Sequence, residues 1–248
     1  MRILGIIPAR YESSRFPGKP LAMIQGKSMI QRVYEQASKA KSLNQVIVAT
    51  DDTRIFEHVQ NFGGKVVMTR PNHTSGTDRC NEVVEKLEAE TEVFEVIVNI
   101  QGDEPFINPV QIDQLTATFK QKTTEIATLI KPIKDKEVLN NPNVVKVVRQ
   151  LNGKALYFSR FPIPYFRGLQ DESVFSKATY YKHLGIYAYK ADILRRICTL
   201  EKSNLEDTES LEQLRWLENG FSIQTEITTF ESRAVDTPED LLKLTNNS

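Results

Sequence analysis

Short apolar runs rich in β-branched residues alternate along this 248-residue chain with segments of helical periodicity. The most apolar runs are nearly continuous, which is typical of strands in a parallel sheet whose two faces are both covered. The first five predicted strands lie at residues 3–7, 46–50, 65–68, 94–100 and 126–130. The pattern therefore predicts an α/β fold, built on a mainly parallel sheet that is flanked by helices.

Helices are predicted between and after these strands. Ser28 opens the first with capping-box spacing, and the pair Gly63-Gly64 ends the next. Further helices are predicted at residues 78–90, 110–120, 191–200, 208–219 and 238–245. Beyond residue 144 the pattern changes to strands at 144–148, 155–159 and 180–189, with a polar loop at 167–178. No repeat or linker divides the chain, so we predict a single domain over residues 1–248 with a smaller sheet in its second half.

The first predicted strand leads directly into a loop with three cations, PARYESSRFPGKPL at residues 8–21. Arg10 and Arg15 offer planar forks of donors that suit phosphate oxygens, and Lys19 adds a point charge. Gly18 permits a turn between stiffening prolines. The spacing fits neither a Walker A loop nor a dinucleotide fingerprint. A solvated basic surface loop is the other interpretation, but the position after a buried strand favours a phosphate site.

Two aspartates are candidate metal ligands. Asp103 follows an apolar strand in the sequence NIQGDEP, and Gly102 before it lets a ligand approach the backbone. Asp236 precedes a helix start formed by Thr237 and Pro238. Each aspartate alone could be a turn or cap residue. Beside a triphosphate, however, two carboxylates are typical of Mg²⁺, which binds one or two carboxylates together with substrate phosphates.

Composition excludes several classes of protein. Lys plus Arg and Asp plus Glu both number 32, so no net field attracts nucleic acid or anionic membranes. Cys80 and Cys198 cannot form a disulfide framework and do not cluster with the three histidines, so we expect both to be reduced and buried. No apolar run approaches the roughly 18 residues of a membrane span, and the N-terminus lacks a signal-peptide pattern. We expect a cytoplasmic protein with no nucleic-acid partner and no membrane insertion.

Eight segments in collinear order carry a more specific pattern. They lie at residues 8–21, 68–79, 98–105, 143–146, 155–160, 183–187, 211–215 and 235–241. Together they resemble the 3-deoxy-manno-octulosonate cytidylyltransferase family, the CMP-Kdo synthetases of Gram-negative bacteria. The first segment would fit the wider nucleotidyltransferase group, whereas HLGIY at 183–187 and LEQLR at 211–215 narrow the resemblance to this family. The resemblance implies a nucleotide-diphospho-sugar-transferase-like, Rossmann-like sheet.

The resemblance also implies a reaction, the transfer of CMP from CTP to the anomeric hydroxyl of 3-deoxy-manno-octulosonate (Kdo), with release of pyrophosphate, for lipopolysaccharide synthesis. Asp103 and Asp236 would bind Mg²⁺, and with Arg10 and Lys19 they would form the catalytic set. The nucleotide-binding residues implied by the family are Arg10, Ser13, Arg15, Lys19, Ser75, Thr77, Arg79 and Gln101.

On the sugar side, the family positions correspond to Arg160, His183, Tyr187, Glu212 and Gln213. A basic residue can hold the Kdo carboxylate, while the others can pair with ring hydroxyls. A lone histidine on a strand is nevertheless more often structural, and Glu212 alone could be a solvated helix charge. Residues 144–220 would contribute this side of the site and a candidate dimerisation lobe, so we expect a homodimer.

Three alternatives are open. A related enzyme for sialic acid or an amino-substituted Kdo would keep the basic loop and the aspartates but change the sugar pocket. A glycosyltransferase of the same nucleotide-sugar fold would need an Asp-x-Asp motif, which Asp103-Glu104-Pro105 does not supply. A non-catalytic nucleotide-binding module would bind CTP without releasing pyrophosphate.

Overall fold

One mixed sheet of nine strands organises the part of the chain that the computed structural model describes, which is residues 1–12, 16–168, 174–231 and 234–246. Strands β2 and β3 form a separate hairpin. The strands are β1 (Ile3–Ala9), β2 (Met23–Ile24), β3 (Lys27–Ser28), β4 (Gln45–Thr50), β5 (Val66–Met68), β6 (Val96–Asn99), β7 (Ile126–Ile133), β8 (Lys146–Arg149), β9 (Ala155–Ser159), β10 (Tyr180–Lys190) and β11 (Ile223–Ile227). The α-helices are α1 (Met29–Ala37), α2 (Thr53–Asn61), α3 (Gly76–Ala89), α4 (Pro109–Ala117), α5 (Lys136–Asn140), α6 (Val174–Lys177), α7 (Ala191–Cys198), α8 (Asn204–Glu209), α9 (Glu212–Glu218) and α10 (Pro238–Asn246).

The main path of the sheet has the order β11-β7-β10-β6-β1-β4-β5. β1 pairs in parallel with β4 and β6, and the pairs β4–β5 and β7–β11 are also parallel. β10 runs antiparallel between β6 and β7. β8 and β9 form an antiparallel extension that pairs with β10. The predicted fold, a mainly parallel sheet with a smaller sheet in the second half, is therefore confirmed.

Helices cover both faces of the sheet. On one face α3, α7 and α9 pack against strand side chains such as Leu4 and Ile97. On the other face α1, α2 and α4 pack against side chains such as Ile7 and Val98. Because neighbouring strand residues are buried on opposite faces, the strands read as continuous apolar runs in the sequence. None of the described helices is both long and apolar enough to cross a membrane.

The prediction of one helix at residues 208–219 is wrong, because the structure contains two. α8 ends at Glu209, and α9 begins at Glu212. Ser210 between them has a φ of 52°, in the left-handed region, through which a right-handed helix cannot continue. The break changes the chain direction between α8 and α9, and so it sets the orientation of α9, which begins at Glu212.

Two further features differ from expectation. The edge strand β11, with the sequence IQTEI, is not predicted, because three polar residues separate its two isoleucines and leave no apolar run. Cys198 is half-buried rather than fully buried, since it is the last residue of α7, whereas Cys80 is buried in α3. Both thiols are free, and burial raises the pKa of each above its ordinary value. Neither is therefore activated as a thiolate at neutral pH.

The segment before α10 is joined to the loop that follows β6. The Val235 backbone N–H donates to the Asp103 carbonyl oxygen at 2.9 Å. Val235 is fully buried in a small apolar cluster with Ile24 and Met29. This packing brings Asp236 to the carboxyl edge of β1 and β6, although it lies far from both strands in the sequence.

A buried carboxylate ties the segment after β5 to α3. Glu82 on α3 accepts hydrogen bonds from the Arg70 backbone N–H at 3.0 Å and from His73, and it pairs with Lys86 at 2.9 Å. Burial alone would raise the pKa of Glu82, but the hydrogen bonds from Lys86, His73 and Arg70 outweigh it and lower this pKa from 4.5 to about 2. The carboxylate therefore favours the folded state at neutral pH.

Replacing Glu82 with Gln should lower the free energy of unfolding at pH 7 by about 2 kcal/mol, because the neutral amide loses the charged partners. Because the pKa of Glu82 is lower in the folded state, its carboxylate stabilises the folded protein at pH values above the unfolded-state pKa of 4.5. This contribution is lost as the pH falls through about 2. The deficit should therefore shrink between pH 7 and pH 3 in urea unfolding. Glu85→Gln, an exposed position on the same helix, is the matched control. An equal deficit for Glu82→Gln at both pH values would contradict this account.

Candidate active site

A cleft of about 900 Å³ lies at the carboxyl edge of β1 and β6. Its charged groups are basic and acidic in equal number, which suits a polyanion accompanied by a cation rather than a simple anion. The lining residues are Pro8, Ala9, Arg10, Tyr11, Glu12, Pro17, Lys19, Pro20, Arg54, Gln101, Gly102, Asp103 and Asp236. The cleft therefore joins the basic loop to both predicted metal ligands.

The basic loop is closed by local bonds. The Gly18 N–H donates to the Tyr11 carbonyl oxygen at 2.8 Å, and Gly18 has a φ of 72°. A Cβ atom at this glycine would lie 3.2 Å from the Tyr11 ring, so both backbone conformation and space favour glycine. A single 3₁₀ turn, Lys19–Leu21, follows at once. The turn fixes the point from which the Lys19 side chain enters the cleft.

Lys19 joins the two predicted metal ligands. Its Nζ lies 2.8 Å from Asp103 Oδ2 and 3.4 Å from Asp236 Oδ1. The Lys19 side chain is 16% exposed, so its ammonium group is largely shielded from solvent. The sequence predicts Lys19 on the triphosphate and the aspartates on a metal ion. In the structure, one ammonium lies at both carboxylates.

A close backbone contact places Asp103. A Cβ atom at Gly102 would lie 2.8 Å from the Pro8 carbonyl oxygen, so the loops after β1 and β6 approach to a distance that only glycine allows. Asp236 reaches the same point through the buried Val235 beside it. At the start of α10, the Asp240 carboxylate accepts from the backbone N–H groups of Asp236 and Thr237. The sequence prediction of a helix start at Thr237 is confirmed.

Two arginines supply further positive charge at the cleft. Arg10 is exposed, and no other residue in the described ranges forms a hydrogen bond or an ion pair with its guanidinium. Arg54 on α2 stacks over the Tyr11 ring at 3.3 Å and pairs with Asp52 at 2.6 Å. Sequence analysis misses Arg54, although it follows the carboxyl end of β4 and could have been found by extending the strand-end argument to that strand. The predicted phosphate contacts of Ser13 and Arg15 fall outside the described residues.

The predicted nucleoside residues lie at the start of α3. Ser75 is the N-cap, and its hydroxyl accepts from the Asp78 N–H at 3.1 Å. The next residue, Gly76, lies against Pro8, since a Cβ atom there would be 3.4 Å from the proline ring. The start of α3 is therefore next to the cleft, and Ser75 stays a predicted nucleoside contact.

Arg79 has protein partners on both terminal nitrogens. It is 1% exposed, with Nη1 bonded to Thr69 Oγ1 and Nη2 bonded to Asp51 Oδ2 at 2.8 Å. These contacts tie α3 to the segments after β4 and β5. Its predicted role in nucleotide binding is untested, and its observed contacts hold the scaffold of the site.

Gln101 links the cleft to β10. Its Nε2 donates to the Gly185 carbonyl oxygen at 2.7 Å, at the bulge of β10. Two residues earlier on this strand, His183 Nε2 lies 3.0 Å from Thr128 Oγ1. The His183 ring packs against the Tyr187 ring, with ring centroids 5.1 Å apart. Burial lowers the pKa of His183 to about 3, so its imidazole is neutral at neutral pH. Burial also raises the pKa of Tyr187 well above its usual range.

Glu212 and Gln213 begin α9, on the far side of β10. Glu212 accepts from Arg215 Nη2 and from Thr77 Oγ1, each at 3.0 Å. Burial raises the pKa of Glu212, and these two partners, together with a side-chain hydrogen bond from Ser75, partly offset that effect. Gln213 is 5% exposed. The structure thus brings one predicted nucleotide residue into contact with a predicted sugar residue.

Arg160 lies apart from the cleft. Its guanidinium donates to the backbone carbonyl oxygens of Glu209, Ser210 and Pro142, at 2.7, 3.3 and 3.1 Å. These bonds tie the end of β9 to the break between α8 and α9. The predicted role of Arg160 in holding a sugar carboxylate is untested by this geometry.

The donor set at Lys19 suits a hard cation that also binds substrate. Among the residues that the structure describes, no group of three or more His, Cys, Asp or Glu side chains could hold a metal ion. Asp103 and Asp236 are two hard oxygen donors that both already contact a cationic group. Mg²⁺ needs only one or two carboxylates when phosphate oxygens complete its shell. The two aspartates therefore supply part of a Mg²⁺ shell, which phosphate oxygens of a bound nucleotide would complete.

Comparison with known proteins assigns a family to this arrangement. The family model described as "Cytidylyltransferase" matches residues 4–227. A 3-deoxy-manno-octulosonate cytidylyltransferase from Cytophaga hutchinsonii is 54% identical over 247 residues, covering 99% of this chain and 97% of the relative. An 8-amino-3,8-dideoxy-manno-octulosonate cytidylyltransferase from Shewanella pealeana is 49% identical over 243 residues, covering 97% and 96%.

Solved structures agree on the fold. One described as CMP:2-keto-3-deoxy-manno-octonic acid synthetase complexed with CTP has a TM-score of 0.91 and 43% identity, covering 100% of this chain and 98% of the other. A cytidylyltransferase from Leptospira borgpetersenii has a TM-score of 0.63 at 16% identity, covering 99% and 85%, and shows a likeness of fold alone.

Proposed function

The chain belongs to the 3-deoxy-manno-octulosonate cytidylyltransferase family, and from this premise we propose that it transfers CMP from CTP to Kdo and releases pyrophosphate. The observation that supports this most directly is the cleft in which Lys19 lies at the Asp103 and Asp236 carboxylates, beside Arg10. Relatives with this activity in their names match the chain over nearly its whole length.

The reaction needs two anionic substrates to be aligned. The anomeric oxygen of Kdo attacks the α-phosphorus of CTP, the bond to the β-phosphate oxygen breaks, and pyrophosphate leaves with that electron pair while the hydroxyl proton is released. Arg10 and Lys19 would hold the phosphates and offset their charge. Positioning and charge stabilisation are sufficient for such a displacement, so no covalent enzyme intermediate is needed.

Asp103 and Asp236 would hold Mg²⁺ on the bound triphosphate. Two carboxylates facing a triphosphate repel it unless a cation lies among them, and the ammonium of Lys19 takes that place in the structure. When bound, the ion would shield charge on the phosphates and lower the pKa of the attacking hydroxyl. Lys19 would then be able to turn toward the phosphates.

The sugar side would lie along β10 and the start of α9. Tyr187, Glu212 and Gln213 would pair with hydroxyl groups of Kdo, and neutral His183 would act as a hydrogen-bond partner rather than as a cation. Arg160 would contribute to this side by holding the end of β9 against α8. A basic side chain for the Kdo carboxylate would come from Arg160 only if it exchanges one of its carbonyl partners.

The setting follows from the substrates. CMP-Kdo would supply lipopolysaccharide synthesis, and the use of CTP favours a cytoplasmic location. We also propose a homodimer, because Leu156, Phe161 and Tyr165 are apolar side chains more than half exposed on and after β9. These side chains lie within residues 144–220, the predicted dimerisation lobe.

Pyrophosphate release in the presence of CTP, Mg²⁺ and a panel of 2-keto sugar acids tests the function. We expect the highest kcat/KM with Kdo, and slower turnover with the 8-amino analogue and sialic acid. Replacing CTP with UTP or ATP should lower kcat/KM. Preference for the 8-amino analogue would assign the chain to the activity named for the Shewanella relative. CTP binding without pyrophosphate release from any acceptor would instead indicate a non-catalytic nucleotide-binding module.

A further inference from the structure

One hydrogen bond connects the start of α3 to the start of α9. Thr77 Oγ1 donates to Glu212 Oε2 at 3.0 Å, across 135 residues of sequence. Thr77 is 2% exposed, so solvent does not compete for its hydroxyl. A hydroxyl carries a single proton, so Thr77 cannot donate to a nucleotide while this bond is present.

The Glu212 carboxylate is held at both oxygens. Arg215 Nη2 donates to Oε1 at 3.0 Å, and Arg215 Nη1 donates in turn to the Leu200 carbonyl oxygen at 3.1 Å. The Arg215 side chain is 11% exposed, and so its position is fixed by packing. Thr77 and Arg215 thus hold the carboxylate from two different helices, and a side-chain hydrogen bond from Ser75 adds to them.

Buried polar groups beside Glu212 lack partners. Across the described ranges, no residue forms a hydrogen bond with the Tyr187 hydroxyl or with Gln213 Nε2. Tyr187 is 7% exposed and Gln213 is 5% exposed. Leaving such groups unpaired costs free energy, so they point to a polar ligand that completes them. Glu212 is 28% exposed and is the charged member of this group.

We propose that Thr77 is a positioning residue of the sugar side, which holds the Glu212 carboxylate in the orientation that receives a hydroxyl-rich acceptor. This inference rests on the proposed function. It assigns Thr77 a different role from the nucleotide contact that the family resemblance implies. The start of α3 then serves both substrates, because Gly76 lies against Pro8 at the cleft while Thr77 contacts Glu212.

Thr77→Val, Thr77→Ser and Thr116→Val test this role by steady-state kinetics with each substrate varied separately. Valine keeps the shape of threonine but cannot donate, so kcat/KM for Kdo should fall at least about tenfold, the loss expected for a hydrogen bond to a charged group. Serine retains the donor and should restore most of the activity. Thr116 is also a buried helical threonine, but its hydroxyl donates to the Ile112 carbonyl oxygen within α4. Thr116→Val should therefore change neither kcat/KM for Kdo nor kcat/KM for CTP.

CTP affinity measured by calorimetry separates the two roles of Thr77. If Thr77→Val leaves CTP affinity within about twofold of wild type, the threonine acts on the sugar side as proposed. A loss of CTP affinity that matches the loss of kcat/KM would overturn the proposal. Retained CTP affinity would also show that Thr77→Val is folded.

A double-variant cycle with Glu212→Ala tests whether Thr77 acts through Glu212. Once the carboxylate is gone, adding Thr77→Val should produce no further loss in kcat/KM for Kdo. Additive losses would contradict a positioning role. If the wild-type enzyme does not turn over Kdo, the proposed function itself fails. If the wild type is active but Thr77→Val equals it in kcat/KM, this inference alone fails.

Discussion

Asp103→Asn and Asp236→Asn should each lower kcat about a thousandfold at saturating CTP and Kdo. Either change removes a hard anionic ligand while leaving the side-chain size almost unaltered, and Mg²⁺ supplies several kcal/mol of charge stabilisation in such displacements. The variants should remain folded, because each aspartate is partly exposed and its ion pair with Lys19 contributes little to stability. Pyrophosphate release measures turnover, and circular dichroism checks the fold.

Asp207→Asn is the matched control. This surface aspartate is 63% exposed and lies 3.5 Å from Lys202, so its charge is removed without altering the cleft. Its kcat should equal that of wild type. Raising the Mg²⁺ concentration should restore part of the activity of either cleft variant, because a weakened metal site can be filled by mass action. Near-normal turnover of Asp103→Asn or Asp236→Asn at ordinary Mg²⁺ concentration would remove the metal assignment.

The chain order of the buried strands could be predicted from the sequence because each face of the sheet is covered. Buried strands such as β1 and β6 read as apolar runs, and the carboxyl ends of parallel neighbours must lie at one edge. This rule predicts that the basic loop and Asp103 lie at the same edge, and the structure places both there. The break at Ser210 could not be predicted, since it depends on a left-handed residue that is not glycine.

Contacts between residues distant in the sequence limit how much of the site can be predicted from the sequence. Nothing near Asp236 in the sequence indicates that Val235 is buried against Ile24 and Met29, and this packing is what carries Asp236 to Asp103. The hydrogen-bond partners of Thr77 and Arg79 could not be predicted from the sequence either, because side-chain direction on α3 depends on tertiary packing. Residue type and spacing predicted the chemistry of the cleft, whereas tertiary packing decides which side chains share it.

Lys19→Met should produce two opposite changes in ligand binding. The affinity for CTP with Mg²⁺, and kcat/KM for CTP, should fall about 100-fold, because a cation that offsets phosphate charge is lost. Without nucleotide, however, Mg²⁺ should bind more tightly than to wild type. The ammonium lies within 3.4 Å of both carboxylates, so its removal leaves them without their counter-ion and open to the metal. Calorimetry with Mg²⁺ alone, and then with CTP and Mg²⁺, measures both changes.

Lys27→Met is the control for the loss of a lysine charge outside the cleft. Lys27 pairs with Glu35 at 2.6 Å on the hairpin before α1, so its replacement should leave both affinities unchanged. If Lys19→Met lowered kcat/KM for Kdo alone, the assignment of the basic loop to CTP would be wrong. Unchanged Mg²⁺ affinity with weakened CTP binding would show that Lys19 acts on the phosphates alone. Tighter Mg²⁺ and weaker CTP binding together would mean that the lysine holds the two carboxylates in place until the metal-bound nucleotide takes over that charge.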